Sequence, residues 1–161
     1  MYIINPIAEQ TVLDKVYPKA QIFIERAEFS ESEPSVTVTC FIQPSDFYTT
    51  KPIPYVTTEN YVRCLSQASY LLAEYVLENK LIDVETDIEI FRKAAADYEL
   101  YYRNIAMTFH ERVGKGQKFI LRLSIKNARE IKRLGNDFIL FTFSNEKTVI
   151  SGEMSFVFIN H

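Results

Sequence analysis

The segment 60–79 constrains this chain most. Val62, Leu65, Ser69, Leu72, Ala73, Val76 and Leu77 recur at helical spacing. Ala68, Tyr70, Leu71 and Tyr75 widen the stripe beyond what one layer covers. A helix of this kind has to be wrapped on several sides, so the rest of the chain must supply a surface that encloses it. Thr57 and Thr58 are placed to cap its start.

The flanking segments read as strands. In 35–42, Val36, Val38, Cys40 and Ile42 face one way and Thr37 and Thr39 the other. The segment 21–29 alternates too, and the polar turn 30–34 makes the pair a hairpin. A second helix is expected over 86–98, opened by the capping box Thr86-x-x-Glu89. Strands follow at 101–111, 118–126, 137–144 and 153–159, with turns at Gly114 and Gly116, at Gly135-Asn136 and at 144–147. Two strands, a buried helix, a short helix and four strands predict an α+β layer architecture, an antiparallel sheet of about six strands wrapped around a long helix. That element order suits the hot-dog fold. With 161 residues and no linker or repeat, the whole chain 1–161 reads as one domain.

Composition narrows the function classes. The longest run without Asp, Glu, Lys or Arg is 12 residues, too short to span a bilayer. The N-terminal stretch lacks signal-peptide marks, and cytoplasmic localisation is expected. Cys40 and Cys64 are the only cysteines and His110 and His161 the only histidines, so neither a disulfide framework nor a metal site is expected. No glycine-rich phosphate loop occurs.

Particular residue strings resemble the FcoT-like family of hot-dog acyl-thioester enzymes. Cys40-Phe41 precedes the loop Pro44-Ser45-Asp46-Phe47-Tyr48; Cys64-Leu65-Ser66-Gln67-Ala68-Ser69-Tyr70-Leu71 follows on the helix. The strand Ser151-Gly152-Glu153-Met154-Ser155-Phe156-Val157-Phe158-Ile159-Asn160 closes the series. The resemblance runs from about Val16 to Ile159. It implies acyl chains held as thioesters of coenzyme A or an acyl carrier protein, with coenzyme A or phosphopantetheine entering as part of the substrate and no separate cofactor. It implies a thioesterase or, as in relatives from isonitrile lipopeptide pathways, an enzyme adding glycine across an enoyl thioester. A non-catalytic acyl-binding module is the third reading, because fold does not decide chemistry.

The same resemblance implies which residues act. The family's loop tyrosine matches Tyr48, its helix tyrosine Tyr70, and an upstream tyrosine Tyr17. Gln67 sits beside them as a substrate-binding position. The family's helix Asn falls at Ser66, which keeps one donor and loses the amide geometry. A tyrosine hydroxyl can donate to a developing oxyanion without ionising.

The residues also offer a carboxylate route. The start of the 60–79 helix aims N–H groups and the positive dipole end at a carbonyl oxygen, with Glu59, and second Asp46, as activating carboxylates. The structural alternatives are a first-turn carboxylate for Glu59, a turn residue for Asp46 and a core aromatic for Tyr70. His110 is read as structural, and Cys40 and Cys64 as small core residues. Phe47, Leu71, Tyr75 and Ile105 are candidate walls of an acyl tunnel, where each buried methylene contributes about 0.8 kcal/mol.

From 112 to 133 there are eight basic residues and one acidic, +7, against −10 for the remainder. A basic strand face of that kind suits coenzyme A phosphates or an acidic carrier protein. The chain as a whole carries −3, which disfavours nucleic acid. One sheet leaves open edges, so a homo-oligomer is expected, at least a dimer with the site at the subunit interface; the resemblance implies a hexamer.

Overall fold

A computed structural model describes residues 2–4, 11–46, 49–133 and 136–160. The chain opens with a short strand, β1 (Tyr2–Ile4), a helix α1 (Val12–Val16) and a 3-10 turn at Lys19–Gln21. Then come β2 (Ile24–Phe29), β3 (Ser35–Phe41), α2 (Thr58–Glu78) and α3 (Ile88–Ala96). Four strands complete it: β4 (Leu100–Phe109), β5 (Lys118–Arg133), β6 (Asn136–Asn145) and β7 (Ile150–Asn160). The six expected strands form one antiparallel sheet, and β1 joins its edge as a seventh, in the order β1-β2-β3-β5-β6-β7-β4. An α+β architecture with an antiparallel sheet is therefore what the chain adopts.

The sheet's inner face is set by alternation. Val36, Val38 and Cys40 of β3 pair with Leu123, Leu121 and Phe119 of β5, all buried. Ile139, Phe141 and Phe143 of β6 face the same way, paired with Phe158, Phe156 and Met154 of β7. Against this face lies α2, with fifteen of its 21 residues buried. Its contacts run to β2, β3 and β5, and to α1 and α3. The helix starts where a full capping box is built: Thr57 Oγ1 accepts from the Asn60 N–H, and Asn60 Oδ1 accepts from the Thr57 N–H. The Asn60 amide also donates to Asp46 Oδ2 at 2.8 Å, which ties the preceding loop to the helix start.

Three expectations need correction. The second helix begins at Ile88, not Thr86. Asp87 caps it by accepting from the Glu89 N–H, while the Thr86 hydroxyl is committed to Asn160 Oδ1. Its end is at Ala96, not Tyr98, which stands at φ +58° just past the helix. The strand expected at 118–126 runs on to Arg133, because a bulge between Ile125 and Asn127 moves the inner face from odd to even positions. The turn glycine Gly135 lies outside the described residues. Neither β1 nor α1 was expected; three and five residues are too short for periodicity to register.

Gly152 shows why β4 and β7 lie so close. A Cβ there would stand 1.9 Å from the Ala106 carbonyl oxygen, so only glycine lets the two strands pair at this point. Among the described residues no helix is long and apolar enough to cross a membrane.

Candidate functional site

Glu59, Arg63, Ser66 and Tyr70 are spaced four, three and four residues apart and share one face of α2. The face leads from the exposed first turn into the interior.

At its inner end the structure gathers hydroxyls from three parts of the chain. Ser66 Oγ lies 2.9 Å from Tyr17 Oη and 2.6 Å from Tyr102 Oη. Ser69 Oγ donates to the Ser66 carbonyl at 2.8 Å and stands 3.3 Å from Tyr102 Oη. Each hydroxyl has one proton, and that of Ser69 is committed to the backbone. The remaining protons can run from Tyr17 through Ser66 to Tyr102 and on to Ser69. They can equally run from Tyr102 through Ser66 to Tyr17, which leaves the half-buried Tyr17 hydroxyl free to donate outward. Burial pushes the Tyr17 hydroxyl up, partly offset by its bond to Ser66 and by the Arg63 charge. Burial also drives Tyr102 and Tyr70 far above the ordinary tyrosine value. All three are neutral donors at neutral pH.

Tyr70 joins this cluster through its ring. Its centroid is 6.2 Å from Tyr17, edge to face, 6.3 Å from Phe91 and 6.2 Å from Phe156. The sequence reading thus placed Tyr17, Ser66 and Tyr70 in one neighbourhood, and missed Tyr102. The signal for Tyr102 was its place on the inner face of β4, opposite Phe156.

Gln67 has a different task. Its Oε1 accepts from the Phe23 N–H at 2.8 Å and its Nε2 donates to the Gln21 carbonyl at 2.6 Å. Fully buried, it clamps the 21–23 segment to α2. Arg63 supports the same segment through Gln21 Oε1 at 2.7 Å, its guanidinium 5.8 Å from the Phe23 ring centroid. Leu71 is in the core, and Tyr75 stacks on Phe29 with centroids 4.4 Å apart. Ile105 packs half-buried against the core. Tyr48 and Phe47 lie outside the described residues, as does His161.

At the outer end of the face lies a cleft of about 760 Å³. Its walls are the first turn of α2, the segment before it and the end of β4, including Tyr55, Glu59, Tyr61, Phe109, His110 and Arg112. Glu59 is exposed there. The N–H groups of Thr58 and Glu59 precede the first intrahelical bonds and so are left for other acceptors. Asp46, by contrast, spends its carboxylate on Asn60. His110 bonds through Nε2 to Ser151 Oγ at 2.7 Å, and Arg112 lies over the Tyr55 ring at 4.9 Å. The Tyr61 ring packs 5.6 Å from Phe109 and 5.3 Å from Phe119. Cys40 and Cys64 are buried and free, and burial holds the Cys40 thiol well up, so it is no ready nucleophile. Among the described residues no cluster of His, Cys, Asp and Glu is arranged to hold a metal.

Comparison with models of known protein families and with curated protein sequences finds no match to this chain.

Proposed function

We propose that the protein is an acyl-thioester enzyme, most simply a thioesterase acting on fatty acyl groups carried by coenzyme A or an acyl carrier protein. In this reading α2 is the central helix of a hot-dog unit. The observation that carries it is the cleft over the first turn of α2. A thioester carbonyl received there meets the unpaired N–H groups of Thr58 and Glu59 and the positive end of the helix dipole. Both act more strongly on the oxyanion of the tetrahedral intermediate than on the neutral carbonyl. In this reading Glu59, exposed at the same turn, takes a proton from attacking water. Farther along the same face of α2, Ser66 gathers the hydroxyls of Tyr17 and Tyr102, which are neutral donors. Tyr48 and Phe47 keep their proposed roles from the loop. The acyl chain would lie against the apolar residues of the cleft, Ile53, Val56 and Phe109. The reaction needs no cofactor beyond the carrier of the acyl group.

The oligomer belongs to the same reading. Among the described residues β4 pairs only with β7, and no strand lies along its other edge of ten residues. A second copy pairing there would place the two clefts beside the shared edge, since Phe109 of β4 lines the cleft.

The test is a panel of acyl-coenzyme A and acyl-carrier thioesters from two to sixteen carbons, with and without glycine, read by mass spectrometry. Free acid is expected, with kcat/KM rising with chain length. A glycine adduct would assign conjugate addition instead. No product from any substrate would leave only an acyl-binding role.

A further inference from the structure

Beside the cleft over the first turn of α2 lies a second one of about 650 Å³, and the two share the wall formed by Glu111 and Arg112. That wall is held from both sides. The Val56 N–H donates to the Val113 carbonyl at 2.9 Å, and the His110 N–H to the Val149 carbonyl at 2.9 Å. The chemistry changes across it. Ile53, Val56 and Phe109 face the first cleft, whereas Arg112, Lys118, Lys147 and Gln117, all exposed, face the second. Lys118 shares its charge with Glu25 at 2.7 Å. Arg112, laid over the Tyr55 ring, and Lys147 make no ion pair among the described residues. Gln117 spends its side-chain carbonyl on the Gly114 N–H, which leaves its amide N–H groups to donate. The described lining of the second cleft thus sets three cations against one carboxylate, Glu111. The basic segment 112–133 is thereby divided, because Arg129, Lys132 and Arg133 stand toward the far end of β5.

We infer that the second cleft is an anion site for the phosphate at the end of the pantetheine arm, the group that coenzyme A and the prosthetic arm of a carrier protein have in common. The separation of the two clefts decides which anion it is. A fatty carboxylate would sit next to its own chain, inside the first cleft. The cations of Lys118 and Lys147 lie beyond the 111–112 wall from the apolar side chains, so they suit an anion held at arm's length from the acyl group. Phosphate oxygens accept from a guanidinium and from ammonium groups at once, and Gln117 adds a neutral donor. The arm would cross the wall at Arg112, with the thioester left over the first turn of α2. This rests on the thioester reading of the first cleft.

The test uses the full chain, titration calorimetry and three non-reacting thioethers. S-octyl-pantetheine is neutral. The methyl phosphodiester of S-octyl-phosphopantetheine carries the single charge of a carrier-protein linkage. S-octyl-coenzyme A carries the whole nucleotide. At low salt, wild type should bind the diester about five- to tenfold more tightly than the neutral probe, as one exposed charge-assisted contact would give. Added salt at about 0.5 M should shrink that gain to less than about twofold. Lys147→Glu should remove the gain and leave affinity for the neutral probe unchanged. Arg129→Glu, the same change of charge toward the far end of β5, should preserve it. If the diester gains nothing over the neutral probe, the inference fails while the thioester reading stands. If Lys147→Glu and Arg129→Glu weaken the diester alike, the gain is the general field of the chain and the inference fails as well. S-octyl-coenzyme A binding no more tightly than the diester supports the site and assigns it to a carrier protein's arm. A further gain that Lys147→Glu also removes supports it and assigns it to coenzyme A. If wild type binds none of the probes, the thioester reading falls and the phosphate site with it.

Discussion

Two residues on one face of α2 carry the proposed chemistry, and substitution tests each. Ser66 joins Tyr17 to Tyr102, so Ser66→Ala cuts the hydroxyl chain at its middle. If that chain donates in the transition state, Ser66→Ala and Tyr17→Phe should each lower turnover by about 10²–10³, the range for one oxyanion donor, whereas Tyr70→Phe, which keeps the ring contacts, tests the role the resemblance implies for the Tyr70 hydroxyl. Glu59→Gln, which removes the proposed base, should lower turnover as well. Activity lost only in Glu59→Gln would assign the exposed carboxylate as base and leave the hydroxyls structural. The tyrosines also govern alkaline stability. Tyr61 has its folded value raised to about 12 from 10. The unfolded chain therefore releases this proton first as pH rises, and stability falls. That contribution is whole below about pH 10 and is lost between 10 and 12; two units amount to about 3 kcal/mol. Tyr17, Tyr70 and Tyr102 shift in the same direction and steepen the loss. Urea midpoints measured at pH 8, 10 and 11.5 check it; a flat profile would refute the buried-phenol account. Tyr61→Phe should make the decline shallower.

At the scale of elements, what was legible follows from period and length. β3 alternates without interruption, and α2 repeats its apolar positions over five turns, so both stood out. β5 did not, because the bulge after Ile125 breaks the period of two while the ladder continues to Arg133. The start of α3 misled for another reason. Thr86-x-x-Glu89 has the capping-box residues, but tertiary contact with Asn160 takes the Thr86 hydroxyl and Asp87 caps instead. The hydroxyl cluster was partly legible because Ser66, Ser69 and Tyr70 lie on the helix whose period is plain, whereas Tyr17 and Tyr102 reach it from distant segments. The cleft was not, because its walls come from segments about fifty residues apart that meet only through folding. One tie between elements was also invisible in the sequence. Glu74 is buried, accepts from the Val12 N–H at 3.0 Å and from Arg92 Nε at 2.8 Å, and so fastens α1 and α3 to α2. Glu74→Ala should cost about 2–4 kcal/mol, somewhat below the usual loss for breaking a buried pair because Arg92 reaches solvent. Chemical denaturation gives the number, and a change under 0.5 kcal/mol, the level of an ordinary surface site, would show that the tie contributes little. Gly152→Ala should destabilise too, by about 1–3 kcal/mol, through the clash with Ala106.

At the scale of the molecule, the sheet is closed at neither end. β1, three residues long, makes one edge a poor template for another chain. β4 makes the other edge long and open, with Tyr101 53% and Phe109 47% exposed. An edge of ten residues that carries exposed aromatics and lacks Pro is a surface that a soluble chain ordinarily covers. Among its side chains only Arg103 is charged, so little repels a second strand. Antiparallel pairing of β4 with its copy satisfies both edges at once, as a two-fold axis requires. Light scattering at micromolar concentration should therefore give at least twice 18.8 kDa. Hydrogen exchange sharpens the test, because among the described residues no strand pairs with the β4 amides that point away from β7. In the assembled protein those amides should exchange as slowly as the amides facing β7. A monomeric mass, together with fast exchange at those amides, would show that the edge is open in solution and that each cleft works alone.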